Sequence, residues 1–212
     1  MTETGTGLIL RTRPLTDTSL IVHWLTADFG RIATVAKGAR RQKSPFAGKL
    51  DLFYMGDFSF QRSRRSELHQ LREVSLRETH AAIRTEMEYL QQASYCAAPI
   101  EQTTEMDTPI PEIFSLMTGF LKNLPKYPPQ SQTLFAFEVK LLSELGLQPD
   151  LENEKLDPDV KQILRILLVS DWAALSRLKL SRSQIIALRQ YLQAFLVYHL
   201  GKVPVTRSRF RP

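Results

Sequence analysis

Six basic residues, Arg31, Lys37, Arg40, Arg41, Lys43 and Lys49, fall between Asp28 and Asp51 with no acidic residue among them. Guanidinium and ammonium groups at this density neutralise phosphates, and they do so without reading base sequence. A run of this length is equally an ordinary solubilising surface, so the residue types alone leave both readings open. Arg62, Arg64 and Arg65 make a second cluster between Gln61 and Glu67, either a solvated turn or a further phosphate contact. Trp24 and Phe29 are candidates for stacking on bases, although the apolar neighbours Val22 and Leu25 favour core packing for Trp24.

Acid–base and covalent chemistry find no comparable footing. His23 lies in an apolar strand with no second histidine or carboxylate at metal spacing, which reads as a packed or hydrogen-bonded histidine. Ser181 and Ser183 lack a neighbouring base. Glu138 and Glu144 belong to one long helix face rather than to a poised pair. No glycine-rich phosphate cradle or Gly-Lys-Ser/Thr is present. The expectation is a non-enzymatic binding protein with no cofactor and no metal.

Net charge is +6 and the isoelectric point lies near 9.5, which favours anionic partners. The charge is uneven: residues 1–80 carry +5, residues 81–180 carry −5 and residues 181–212 carry +6. One cysteine, Cys96, excludes an intramolecular disulfide and points to a buried small hydrophobe. No charged-then-apolar leader opens the chain, and the apolar stretches around Ile163–Val169 and Ala194–Val197 are too short to span a bilayer. A cytoplasmic protein without a membrane partner is expected.

These residues need elements to hold them. Gly7–Arg13, Ser19–Thr26 and Arg31–Ala36 read as strands, with Asp28-Phe29-Gly30 as a tight hairpin turn. Leu50–Tyr54 and Asp57–Arg62 read as further strands broken at Met55-Gly56, and Leu68–Ser75 as the closing one. Short strands crowded into about 80 residues fit a small closed barrel such as an OB-fold. Gly38, Pro45 and Gly48 imply that the basic loop is mobile. From Glu78 the apolar period lengthens, predicting a helix that ends before Pro99. Further helices follow after Pro109 and Pro111, from Ser131 to Leu145, from Pro158, a short one capped by Asp171, and from Gln184 to Leu200. The fold class is α+β, with an N-terminal barrel over 1–80 and a helical bundle over 81–212.

Three ordered blocks resemble RecO, the bacterial recombination mediator family. The first comprises Leu10–Arg13, Thr18–Val22, Thr26–Arg31 and Val35–Arg41, continued by Ser44, Gly48–Leu50 and Leu52-Phe53. The second is Phe135–Gly146. The third is Tyr198–Gly201 with Arg207–Phe210. The resemblance implies an OB-fold joined to a helical domain. It implies binding of single- and double-stranded DNA and annealing of complementary strands at the nucleoid. It further implies work with RecR to load RecA on DNA coated by single-strand-binding protein (SSB). Many members carry a four-cysteine zinc site after the central helix. Here Leu147–Pro158 contains no cysteine, so no structural zinc is expected.

An adaptor that mainly grips acidic protein tails is the alternative. Arg182, Arg189 and Lys202 beside Phe195 and Tyr198 would then hold the acidic, Phe-ending tail of SSB. The plainer reading makes Phe195 and Tyr198 bundle core.

Overall fold

The computed structural model describes residues 2–152 and 156–201, which divide into two compact units. The first contains Met1–Ala81 and Thr104–Ser115; the second contains Ala82–Thr103 and Leu116–Pro212. The partition differs in one respect from a clean break at residue 80. A stretch between two helices belongs to the barrel unit.

Five strands, β1 (Thr2–Pro14), β2 (Leu20–Thr26), β3 (Arg31–Ala36), β4 (Met55–Gln61) and β5 (Leu68–Glu78), close a barrel in the order β1-β2-β3-β5-β4. All neighbours are antiparallel except β3 and β5, which meet in parallel over Ala33–Val35 and Leu68–Gln70. β1 serves two neighbours. Thr2–Leu8 pairs with β4, Gly7–Pro14 pairs with β2, and the register slips between Ile9 and Arg11. Such a bulge bends one strand round a barrel corner.

The interior follows from the period of two. Ile9, Val22, Trp24, Ile32, Phe58, Phe60, Leu71 and Val74 pack together inside. Trp24 is 1% exposed, stacks on Phe58 at 4.3 Å between centroids, and donates its indole N–H to Thr34 Oγ1 at 2.9 Å. Its polar atom is therefore satisfied in the core, and the ring is closed to bases. Phe29 packs edge-on against Phe60, so it too is occupied inward.

Leu50–Tyr54 is a turn rather than a strand. Phe53 takes φ 61, outside the extended region, and is fully buried. Its N–H donates to Ile9 O at 2.8 Å while Ile9 N–H donates to Tyr54 O at 2.9 Å. The apolar side chain and two backbone bonds at the β1 bulge hold a conformation that local propensity disfavours.

The second unit is helical: α1 (Met87–Thr103), α2 (Pro111–Asn123), α3 (Ser131–Glu144), α4 (Pro158–Val169), α5 (Trp172–Arg177) and α6 (Arg182–Leu200), with the start of α2 counted in the first unit. α3 is its hub, packing on α1, α4, α5 and α6. Phe135, Ala136 and Val139 join Val160, Ile163, Leu164, Leu167, Leu175, Leu188 and Leu192 in one core. Pro99 lies inside α1 rather than ending it. It is buried with Tyr95, Cys96 and Ile100, and that burial offsets the hydrogen bond proline cannot donate. Caps fall where the sequence signals them. Asp157 and Asp171 accept N–H bonds at the starts of α4 and α5, Ser181 and Gln184 form a capping box for α6, and Gly201 closes it in the left-handed region.

Candidate nucleic-acid interface

The basic stretch leaves the end of β3 as a succession of turns. Arg41 N–H bonds Gly38 O, Ser44 N–H bonds Arg41 O, Ala47 N–H bonds Ser44 O and Lys49 N–H bonds Phe46 O. Two anchors fix this run to the barrel. Arg40 N–H donates to Thr18 O at 3.0 Å and its guanidinium reaches Thr16 O at 3.2 Å, tying the turns to the β1–β2 connection. Phe46, 6% exposed, inserts into the barrel core. The mobile loop expected from Gly38, Pro45 and Gly48 is thus pinned at both its start and its middle. An anchored cationic surface loses less conformational entropy on meeting a strand than a free loop would.

Lys37, Arg40, Arg41 and Lys43 are exposed on these turns. The side chains of Lys37, Arg41 and Lys43 have no hydrogen-bond or ion-pair partner among the described residues, and that of Arg40 has only its contact with Thr16 O. Four solvated cations within seven residues, with no acidic residue between Asp28 and Asp51 and Asp17 on the neighbouring β1–β2 connection, make a coherent phosphate-binding surface. Lys49 is half-buried and lines an open groove of about 780 Å³ with Pro45, Phe46 and Arg72.

Arg31 and Arg62 belong elsewhere. Arg31 donates from Nε to Thr104 Oγ1 at 2.7 Å and from its terminal nitrogen to Thr104 O. Asp107 N–H returns a bond to Arg31 O at 2.9 Å. Arg62 bonds Glu3 through Nε at 2.8 Å, also pairs with Asp107, and covers the faces of Phe29 and Phe60. Hydrogen bonds that it donates to Glu3, and to a lesser degree Asp107, hold the Arg62 guanidinium above its ordinary pKa against the opposing effect of burial. Both arginines brace Thr104–Thr108 against the barrel, so each guanidinium is engaged within the chain.

The two basic clusters do not meet. Pro14, Leu20 and Ala36 are in register at the end of β1–β2–β3 where the basic turns begin. The β4–β5 hairpin precedes Leu68, which pairs with Ala33 near the opposite end, beside Arg31. Arg64 and Arg65 are exposed there, about 16 Å away along β3 at 3.3 Å per residue. Thr104 and Asp107 escaped the sequence reading because a Thr-Thr-Glu-Met-Asp-Thr run between helices carries only a generic loop signal. Arg72 escaped because it is one cation in a strand.

His23 is half-buried. Desolvation, then the charges of Arg11, Arg13 and Arg31, lower its pKa to about 4. Its Nε2 is buried and has no hydrogen-bond partner among the described residues, so of the two readings, packed or hydrogen-bonded, the packed one describes this nitrogen.

The C-terminal set is dispersed. At about 100° per residue, Arg189 and Tyr198 fall on opposite faces of α6, and Arg182 lies about 24 Å along the axis from Tyr198. Tyr198 is 84% exposed, contrary to a core role, while Phe195 is half-buried against Tyr191 and His199. Lys202 lies outside the described residues, as does Arg207–Phe210. No shared socket forms among the described members of this set.

The family model described as Recombination protein O N terminal matches residues 1–80, and that described as Recombination protein O C terminal matches residues 84–155. The chain belongs to the RecO family. DNA repair protein RecO of Rhodopirellula baltica is 34% identical over 143 residues, 68% of this chain and 53% of that protein. The RecO proteins of Bacillus pumilus and of Anaeromyxobacter sp. (strain K) are 31% and 30% identical over 147 residues, 69% of this chain and 57% and 58% of theirs. The matches thus span little more than half the length of these RecO relatives. The basic turns lie within the RecO N-terminal match. Thr104–Ser115, which completes the barrel unit, lies within the C-terminal one. No helix among the described residues is long and apolar enough to cross a membrane.

Proposed function

We propose that this RecO-family chain is a non-enzymatic recombination mediator in DNA repair that binds DNA through Lys37, Arg40, Arg41 and Lys43. The observation that carries the reading is the cluster of four exposed cations on turns pinned by Phe46 and Thr18 to a closed five-stranded barrel. Such a surface grips phosphates regardless of sequence, so single- and double-stranded DNA are both ligands. Annealing then needs no bond chemistry. Cations screen the repulsion between complementary strands, and a salt-sensitive grip exchanges fast enough for them to pair. Arg64 and Arg65, at the other end of the barrel, offer a secondary contact for the same strand or its complement. In keeping with its relatives' names, the chain acts in DNA repair, and we assign it RecR and SSB as partners in loading RecA.

The test is strand annealing on naked and SSB-coated single strands over 50–300 mM salt. Acceleration that fades with rising salt supports the reading; no acceleration at low salt overturns it. An adaptor role through α6 lacks a gathered surface, because Arg189 and Tyr198 lie on opposite faces of that helix.

A further inference from the structure

The seam that closes the barrel is short. β3 pairs with β5 only at Leu68–Gln70, and beyond Gln70 the outer edge of β5 has no backbone partner among the described residues. β4 covers the other edge of β5 as far as Glu78. Arg72, Glu73, Ser75, Leu76, Arg77 and Glu78 are all exposed, Leu76 at 37%. An open strand edge presents alternating donors and acceptors that another extended backbone can satisfy.

The sequence of this edge says which backbone fits. Read outward from Ser75, the segment Arg72-Glu73-Val74-Ser75-Leu76-Arg77-Glu78 is self-complementary. An antiparallel copy placed on a two-fold axis through Ser75 sets Glu73 opposite Arg77, Arg72 opposite Glu78 and Val74 opposite Leu76. Each charged pair occurs twice by symmetry. No other antiparallel register of the segment matches both charged pairs and the apolar pair together. We propose that this edge is a homodimer contact, in which a second copy of the chain pairs β5 with β5 about Ser75. Such an interface is isologous and closes after two copies, so it does not propagate into a fibre.

The contact uses none of Lys37, Arg40, Arg41 or Lys43, although Arg72–Leu76 adjoin the groove that Pro45, Phe46 and Lys49 also line. One strand edge is smaller than a standard interface, so the dimer is weak and depends on concentration. Arg77 already bonds Asp57 within its own chain at 2.6 Å, and in the dimer it bridges Asp57 and Glu73 of the second copy.

Residues facing each other across the axis lie about 5 Å apart between Cβ atoms, close enough for a disulfide. In a Cys96→Ala background, mild oxidation of the full chain with Ser75→Cys is expected to give a covalent dimer. Ser66→Cys, on the exposed hairpin, is the control and stays monomeric. Sedimentation velocity over about 5–500 μM should show a monomer–dimer equilibrium for the unaltered chain. Glu73→Arg is expected to weaken it about tenfold, because two symmetry-related pairs turn to like charge. Adding Arg77→Glu to Glu73→Arg should recover most of that loss. A monomer throughout the range, or crosslinking of Ser75→Cys no faster than Ser66→Cys, overturns the proposal.

Discussion

The division of the cationic residues into exposed ligands and internal braces is testable with one pair of variants. Arg40→Ala with Arg41→Ala removes two of the four solvated cations and disturbs one exposed bond to Thr16 O. Each phosphate contact on single-stranded DNA contributes a salt slope of about 0.7 in log–log terms. The full set therefore gives a slope near −2.8 and the double variant a slope near −1.4, by the same ~0.7 per contact. At 0.1 M salt each contact is worth about 0.7 decade, so the double variant binds about 25-fold more weakly; at 0.4 M the deficit shrinks to about fourfold. Arg62→Ala is the opposite case. It breaks the pairs with Glu3 and Asp107 and uncovers Phe29 and Phe60. It should cost about 1–2 kcal/mol in urea unfolding, allowing for its partly exposed position, with the salt slope unchanged. Fluorescence anisotropy with a labelled 30-mer from 50 to 400 mM salt measures the slopes. An unaltered slope for the double variant, or a slope loss for Arg62→Ala as large as that of the double variant, refutes the division.

Other consequences are as concrete. Gly30 sits at φ +65, and a Cβ there would lie 1.7 Å from Thr108 O, so Gly30→Ala should destabilise the chain by about 3 kcal/mol or more in denaturant titration. Phe46→Ala empties the anchor of the basic turns and should cost about 3 kcal/mol, with faster proteolysis after Lys43 or Lys49 as the local readout. His23 has a folded pKa of about 4, below its unfolded value, so the unfolded chain binds the extra proton between pH 6.5 and 4. Its contribution is complete above pH 6.5 and is lost as pH falls toward 4, about 1–2 kcal/mol after discounting for half-exposure. His23→Gln should flatten that limb of the stability–pH curve.

Local patterns were strong enough to place β2, β3 and the α4 and α5 caps, because each is written in neighbouring residues: Asp28-Phe29-Gly30, Asp157-Pro158 and Asp171; at α6 the start falls two residues before the expected Gln184. The departures arise where distant contacts decide. Phe53 abandons a strand because Ile9, far back in the sequence, supplies both backbone bonds. Pro99 stays helical because its neighbours are buried. Within the candidate site, clustering in sequence pointed to Lys37, Arg40, Arg41 and Lys43, which the fold leaves exposed together. The same clustering grouped Arg31 and Arg62 with them, since nothing near these two reveals that Thr104 and Asp107 return to meet their guanidiniums. On α6, spacing could have separated Arg189 from Tyr198 without any structure, by helical periodicity alone.

The return of Thr104–Thr108 also bears on how the protein is made. All five strands leave the ribosome before Thr104 does, and α1 is synthesised in between. The nascent barrel must therefore wait, with Arg31, Arg62 and the buried ring of His69 lacking their final partners, until a later piece of chain arrives. A gene fragment stopped at residue 81 would hold the strands permanently in that unfinished condition. Any attempt to express the barrel alone has to carry the chain through residue 115, or graft Thr104–Ser115 back by a linker.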